Sequence, residues 1–188
     1  MIQDIAPHIF HNEFHERESR PDDRGTVFIG GKTYLTQAGV FPTAEEIKAL
    51  GAAETDLVYL FEIDRTAFFL LWNVSDAVKH ALVEHVGMVF RNMKPTYLAL
   101  AGATAMHLSA WYRLNRFCGR CGAAMARDKV ERAMRCPQCD QVVYPRINPA
   151  VLAAVRHRDK LLLTHYANRP NATRYALVAG FTEIGETL

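Results

Sequence analysis

Cys118, Cys121, Cys136 and Cys139 are the only four cysteines in the chain, and they fall into two C-x2-C pairs, Cys118-Gly-Arg-Cys121 and Cys136-Pro-Gln-Cys139. Such a pair turns two thiolates toward one point. Two pairs supply four soft donors in a tetrahedron, the arrangement that Zn2+ prefers. Gly119 and Gly122 relax the first knuckle and Pro137 stiffens the second. The run from Gly122 to Arg135 is long enough for a hairpin that brings the knuckles together. Two disulfides are the alternative use of the same residues, and they need an oxidising compartment. The start, Met1-Ile-Gln-Asp-Ile-Ala-Pro-His8, has neither the basic segment nor the long apolar core of a secretory signal. Four protein thiolates leave no position for water, so the expected zinc ribbon is structural and not catalytic.

Other groups able to do chemistry are more scattered. His8, His11 and His15 stand in a polar stretch without a carboxylate pattern, which favours a solvated arm over a metal cluster. His107 lies in a long apolar stretch with no second donor one turn away, which favours an interior or interface histidine over a ligand. Arg116, Arg120, Arg127, Lys129, Arg132 and Arg135 cluster around the cysteines. Neutralising the negative charge of a four-thiolate zinc is one use for them, and contact with nucleic acid is another.

These residues must be positioned by the elements around them. Residues 1–25 read as an irregular arm with little core of its own. Thr26–Gly30 and Lys32–Thr36 are short strand-type runs meeting at Gly30-Gly31, a hairpin signal. Thr43 and Glu46 make a capping-box pattern, and Gly51 can end the short helix that follows. Leu57–Ile63 and Thr66–Trp72 are stronger strands around Asp64-Arg65. The first 73 residues thus predict a small, mostly antiparallel sheet with one helix. Val78, Leu82, Val86 and Phe90 recur at steps of four and predict a helix over Asp76–Phe90. After a break at Pro95, Thr96–Phe117 predicts a long helix, apolar on more than one face, suited to a domain junction or subunit interface. It runs directly into Cys118, which predicts a ribbon rigidly fused to it. Tyr144-Pro-Arg-Ile-Asn-Pro149 is an extended connector. Beyond it, Ala150–Val155 predicts a buried strand, His157–Asp159 a turn, Lys160–Tyr166 the return strand, Asn168–Thr173 a loop, and Arg174–Gly180 a further strand.

Composition bounds the rest. With 188 residues, 49% hydrophobic and 22% charged, the chain has enough material for one ordinary domain or two small ones plus a metal module. A net charge of +2 is no polyelectrolyte signature. No apolar run approaches the roughly 20 residues that span a bilayer. Reduced cysteines fit a cytoplasmic location.

The order of long helix, C-x2-C…C-x2-C, Tyr-Pro-Arg-Ile-Asn-Pro, two strands and Ala-Gly-Phe-Thr-Glu-Ile-Gly-Glu-Thr resembles the zinc-ribbon NADH pyrophosphatases (NAD+ diphosphatases) of the Nudix superfamily. The resemblance is strong from Asn115 to Leu188 and looser, though consistent in layout, over residues 1–114. It implies an α+β chain of three parts. Residues 1–114 form a small antiparallel N-terminal Nudix-like domain with helices, and 115–147 the four-cysteine zinc ribbon. Residues 148–188 are the first strands of a Nudix α/β/α fold that is incomplete in this chain. The family's Nudix box reads G-x5-E-x7-R-E-x2-E-E-x-G; Gly180 and Glu186 match its first two fixed positions, and the remainder lies past Leu188.

The resemblance further implies hydrolysis of the pyrophosphate bond of NAD(H) to NMN(H) and AMP, possible removal of NAD caps from RNA, Mg2+ or Mn2+ as catalytic metal, and a homodimer involving the helix Thr96–Phe117. Phe181, after the box glycine, resembles the family's base-stacking aromatic, and Tyr144 the residue lining the same pocket. Core packing at a strand end and a hinge beside Pro145 are their plainer readings. Glu186 is the only box glutamate present, and Glu183 lies in the loop before it. Hard cations need several carboxylate oxygens, so these 188 residues are expected to be inactive alone, with the strands Val151–Val155 and Leu161–Thr164 exposed. The alternative is a non-catalytic zinc-ribbon module for dimerisation or nucleic-acid binding.

Overall fold

Two of the most apolar runs in the amino-terminal half, Leu57–Ile63 (β4) and Thr66–Leu71 (β5), pair antiparallel around a turn in which Asp64 takes a φ of +56°. They lie at the centre of the computed structural model, which describes residues 2–86, 89–168, 173 and 175–187. The chain divides into two compact units, Met1–Pro145 and Arg146–Leu188.

In the first unit, six strands form one sheet: β1 (Phe10–His11), β2 (Arg24–Ile29), β3 (Lys32–Leu35), β4, β5 and β6 (Val83–His85), in the order β1-β4-β5-β2-β3-β6. The β2–β3 hairpin turns at Gly30 and Gly31, whose φ values of +57° and +78° disfavour any side chain. The pairing of β2 with β5 is parallel, so the sheet is mixed.

Both faces of the sheet are covered, which is why β4 and β5 read as continuous apolar runs instead of alternating ones. On one face Phe28, Leu35, Val58, Leu60, Phe68 and Leu70 pack with the long helix α3 (Thr96–Leu114). On the other, Val27, Tyr34, Leu57, Tyr59, Phe69 and Leu71 pack with Ile47 of α1 (Ala44–Ala49) and Val78 of α2 (Asp76–Ala81). A register shift between Tyr59 and Phe61 changes the parity of β4, so the neighbours Leu60 and Phe61 both join the α3 side. The capping box on α1 forms as expected, with Thr43 and Glu46 exchanging side-chain-to-backbone hydrogen bonds.

Three expectations need correction here. The arm is not free of the core, because β1 pairs with β4 and Ile5 is buried. Asp76–Phe90 is not one helix. Ser75 caps α2, which ends at Ala81; β6 then pairs with β3, and a 3-10 turn covers Val89–Asn92. Glu84 explains the switch, since its carboxylate accepts hydrogen bonds from Lys32 and Tyr34 across the β3 edge. Val78 and Phe90 are buried while Val86 is 74% exposed, so the four-residue spacing is not a single stripe; Gly87 and Met88 in that run lie outside the described residues. The predicted helix Thr96–Phe117 is α3, Thr96–Leu114, ended by Asn115, whose side-chain amide donates to the Trp111 carbonyl. Its apolar face is spent inside the unit, with Leu98, Ala101, Ala105, Leu108, Trp111 and Tyr112 buried, while His107 is exposed and not interior.

The second unit is built from β10 (Ala150–Ala153), β11 (Arg156–His157), β12 (Lys160–Leu161) and β13 (Val178–Phe181). The labels β7, β8 and β9 belong to the zinc hairpin: Ala126–Arg127, Met134–Arg135 and Val142–Val143. The expected return strand does not pair with β10. Arg158, at a φ of +54°, makes a tight turn that pairs only the flanking β11 and β12, and β10 is partnered by β13, Ala150 opposite Phe181. The apolar side chains here are exposed, Leu152 at 70% and Leu162 at 52%. In the expected loop Asn168–Thr173, residues 169–172 lie outside the described residues, as do Arg174 of the expected strand and Leu188.

Candidate metal centre

Each cysteine pair sits on a tight turn shaped by its own backbone. In the first knuckle, the Gly122 N–H donates to the Cys118 carbonyl and Gly122 takes a φ of +77°. In the second, Asp140 at +56° donates to the Cys136 carbonyl. Between them, β7, β8 and β9 form a three-stranded antiparallel sheet that brings the knuckles face to face.

The four Sγ atoms all lie within 4.8 Å of one another. Cys118 and Cys139 approach to 3.6 Å, and Cys121 and Cys136 to 3.4 Å. Four thiolates about 2.3 Å from a zinc ion have edges of about 3.8 Å, so the donor set fits a tetrahedral Zn2+ and leaves no position open. Cys118 and Cys136 are buried, while Cys121 is exposed. The Cys121 and Arg120 backbone N–H groups pull the Cys118 thiol down to about 6. Burial raises Cys136, but the N–H groups of Gln138 and Cys139 outweigh it and the net direction is downward. Their partners shift the other way. The Ala123 N–H lowers Cys121, but its contact with Cys136 outweighs this and pushes it up to about 12, and Cys139 is also raised, so each knuckle favours one thiolate and one thiol.

The ribbon's cations do not form one rim. Arg135 donates to Asp128, whose carboxyl it holds, with the Val130 and Glu131 N–H groups, down at about 2. Arg132 leaves the ribbon altogether: its guanidinium donates to Asn12 and to the Leu60 carbonyl of β4, and lies 5.9 Å over the Phe14 ring. Arg127 and Arg113 flank Trp72, at 5.7 and 5.6 Å from its ring. The hydrogen bond from Met125 N to the Arg116 carbonyl ties the ribbon to the chain leaving α3.

The remaining candidate residues are dispersed. His8 shares a hydrogen bond of 2.8 Å with Asp64 and stacks near Tyr97, and His15 lies 4.5 Å from the Tyr59 ring; with His11 they make no metal cluster among the described residues. Tyr144 is half exposed and donates to Glu131. Phe181 ends β13 with 73% of its surface exposed. Glu183 and Glu186 close a turn on each other, the Glu183 N–H donating to the Glu186 carboxylate, and no third carboxylate joins them among the described residues.

Sequence reading missed one buried network. Asp23, 2% exposed, accepts two bonds from Arg17 and one each from the Arg20 and Ala67 N–H groups, while Arg17 also donates to Glu62 of β4. A Pro-Asp-Asp stretch looks like loop chemistry, and nothing local marks Asp23 as the partner of a strand.

Residues 113–144 match the family model described as the NADH pyrophosphatase zinc ribbon domain. A protein of Pectobacterium carotovorum subsp. carotovorum (strain PC1), called NAD-capped RNA hydrolase NudC, is 43% identical over 89 residues. A protein of Salmonella paratyphi B with the same name is 40% identical over 89 residues. Over this stretch the chain resembles the zinc-ribbon NADH pyrophosphatases. The matched stretch is 47% of this chain and 34% of each relative, so the chain spans about a third of their length. The four cysteines lie inside the matched ribbon, and their geometry fits a structural zinc.

Proposed function

We propose that the protein carrying these residues hydrolyses the pyrophosphate bond of NAD(H), giving NMN(H) and AMP, and that NAD-capped RNA is a second substrate. The observation that carries this reading is the pairing of the ribbon match with relatives named NAD-capped RNA hydrolase. Residues 148–188 are then the opening strands of a Nudix domain and 1–114 a Nudix-like amino-terminal domain. Phe181 offers an exposed ring for a base, and Tyr144 a second near the ribbon. In a homodimer, the exposed apolar residues Leu114 and Phe117 at the end of α3 are the contact this reading favours. Reduced thiols favour a cytoplasmic location in this reading.

Mg2+ or Mn2+ would supply charge neutralisation at the phosphoryl oxygens. Glu183 and Glu186 do not fit such an ion by themselves, because two carboxylates, that of Glu186 already accepting from the Glu183 N–H, fall short of an octahedral donor set. Residues 1–188 alone are therefore expected to release no AMP from NADH above a metal-only blank. A version extended through the whole box should release it, and AMP release by the short chain at a comparable rate would refute the assignment of the missing ligands.

A second reading is a dimerisation or nucleic-acid module without catalysis. It is favoured by Arg113 and Arg127, 5.6 and 5.7 Å from the Trp72 ring, which together join an aromatic surface to positive charge. RNA binding that weakens steeply with salt supports it, and binding indifferent to salt counts against it.

A further inference from the structure

The zinc hairpin and the amino-terminal sheet enclose a cleft of about 460 Å³ that neither the ribbon nor the proposed hydrolysis uses. Its volume lies within the range of about 300–1,000 Å³ typical of small-molecule sites. Phe14, Tyr59 and Tyr112 give it aromatic walls, with Leu57 and Val58 beside them.

Two observations point to a ligand. Tyr112 lines the cleft with 1% of its surface exposed, and its hydroxyl is a donor that an acceptor bound there could use. The second observation is the distribution of charge. Arg17 is held by Asp23 and Glu62, Asp128 by Arg135, and Glu54 by Lys48 and Ser19. Arg127 is left as the lining cation without a carboxylate among the described residues. Behind Phe14, Arg132 also has no carboxylate, and its Nε is buried without a partner. Arg127 gives an anionic group one point of attachment in the lining, and the ring of Phe14 favours a flat body. Glu16 and Glu18, both exposed lining residues, accept hydroxyl or amino donors but repel a second anionic group.

We propose that this cleft binds a mononucleotide, its base against the Phe14 ring and within reach of the Tyr112 hydroxyl, and its single phosphate at Arg127. The preference for one ring system and one phosphate comes from the cleft. The choice of a nucleotide rests on the hydrolysis proposed above, whose products are of that class.

The test is calorimetric titration of the zinc-loaded 188-residue chain with AMP. The expected result is saturable one-to-one binding, weakened at least about tenfold in Arg127→Ala and in wild type titrated with adenosine in place of AMP. Tyr112→Phe, which keeps the ring, should weaken binding several-fold, and Arg116→Ala, outside the lining, should leave it unchanged. No heat up to millimolar AMP, adenosine binding as tightly as AMP, or an unaltered Arg127→Ala would each overturn the proposal. Binding is read without turnover. An extended protein that hydrolyses NADH while this chain ignores AMP defeats the cleft alone; AMP binding here beside an extended protein inert toward NADH defeats the hydrolysis alone.

Discussion

Asp23 is the side chain on which the amino-terminal unit depends most. Four donors converge on one buried carboxylate, and it joins the approach to β2, the start of β5 and, through Arg17, the end of β4. Asp23→Ala leaves Arg17 without its buried partner and should cost about 3–5 kcal/mol in urea denaturation. Burial pushes the Asp23 carboxyl up, but its bonds with Arg17 and the Arg20 and Ala67 N–H groups outweigh this and hold it below the usual range. A depressed folded value means that the stabilisation is complete above about pH 4 and is lost as pH falls through the folded value. Acid titration of the wild type should therefore show a loss of stability that Asp23→Asn lacks. The thiolates were readable from the sequence because their spacing is local. Asp23 and Arg132 were not, because their partners stand 44 and 72 residues away in β5 and β4. No local pattern records a contact of that kind.

At the scale of elements, the strands that turn back on themselves were legible and the pairings between distant strands were not. β2–β3 and β4–β5 follow from turn residues flanked by apolar runs. The parallel β2–β5 contact and the conversion of Val83–His85 from helix to strand depend on an open sheet edge that only the assembled fold provides. The seat of α3 is equally tertiary. A methyl group on Gly102 would come 2.6 Å from the Phe90 ring, so the helix lies as close as glycine permits. Gly102→Ala gains about 1 kcal/mol of helix propensity but overpacks Phe90 at a cost of about 1–3 kcal/mol; thermal denaturation should show a lowered Tm. The ribbon is fastened by Arg132, whose bonds from a charged donor are worth about 1.5–3 kcal/mol each. Arg132→Lys keeps the charge but loses the fork to Asn12 and Leu60, and hydrogen exchange at β4 should accelerate in it.

Over the whole molecule, the ribbon and the sheet form one unit and residues 146–188 a second. Residues 146–149 are exposed, so brief trypsin treatment should cut after Arg146 and release a stable amino-terminal fragment that retains the metal. Elemental analysis should find one zinc per chain, and Cys136→Ser should abolish it, removing a ligand from a site of the kind worth about 10–16 kcal/mol in apparent binding free energy. None of the four cysteines lines the cleft, yet the two sites are not independent. Arg127 and Asp128, part of the lining, belong to the hairpin that the cysteines close. Withdrawing the metal would dissolve that wall while leaving the sheet behind it standing. By reciprocal linkage, an occupant of the cleft must then raise the affinity of the thiolates for zinc by the same factor that zinc raises its own. With the cleft occupied as proposed, zinc binding at the ribbon and occupancy of the cleft would be reciprocally coupled.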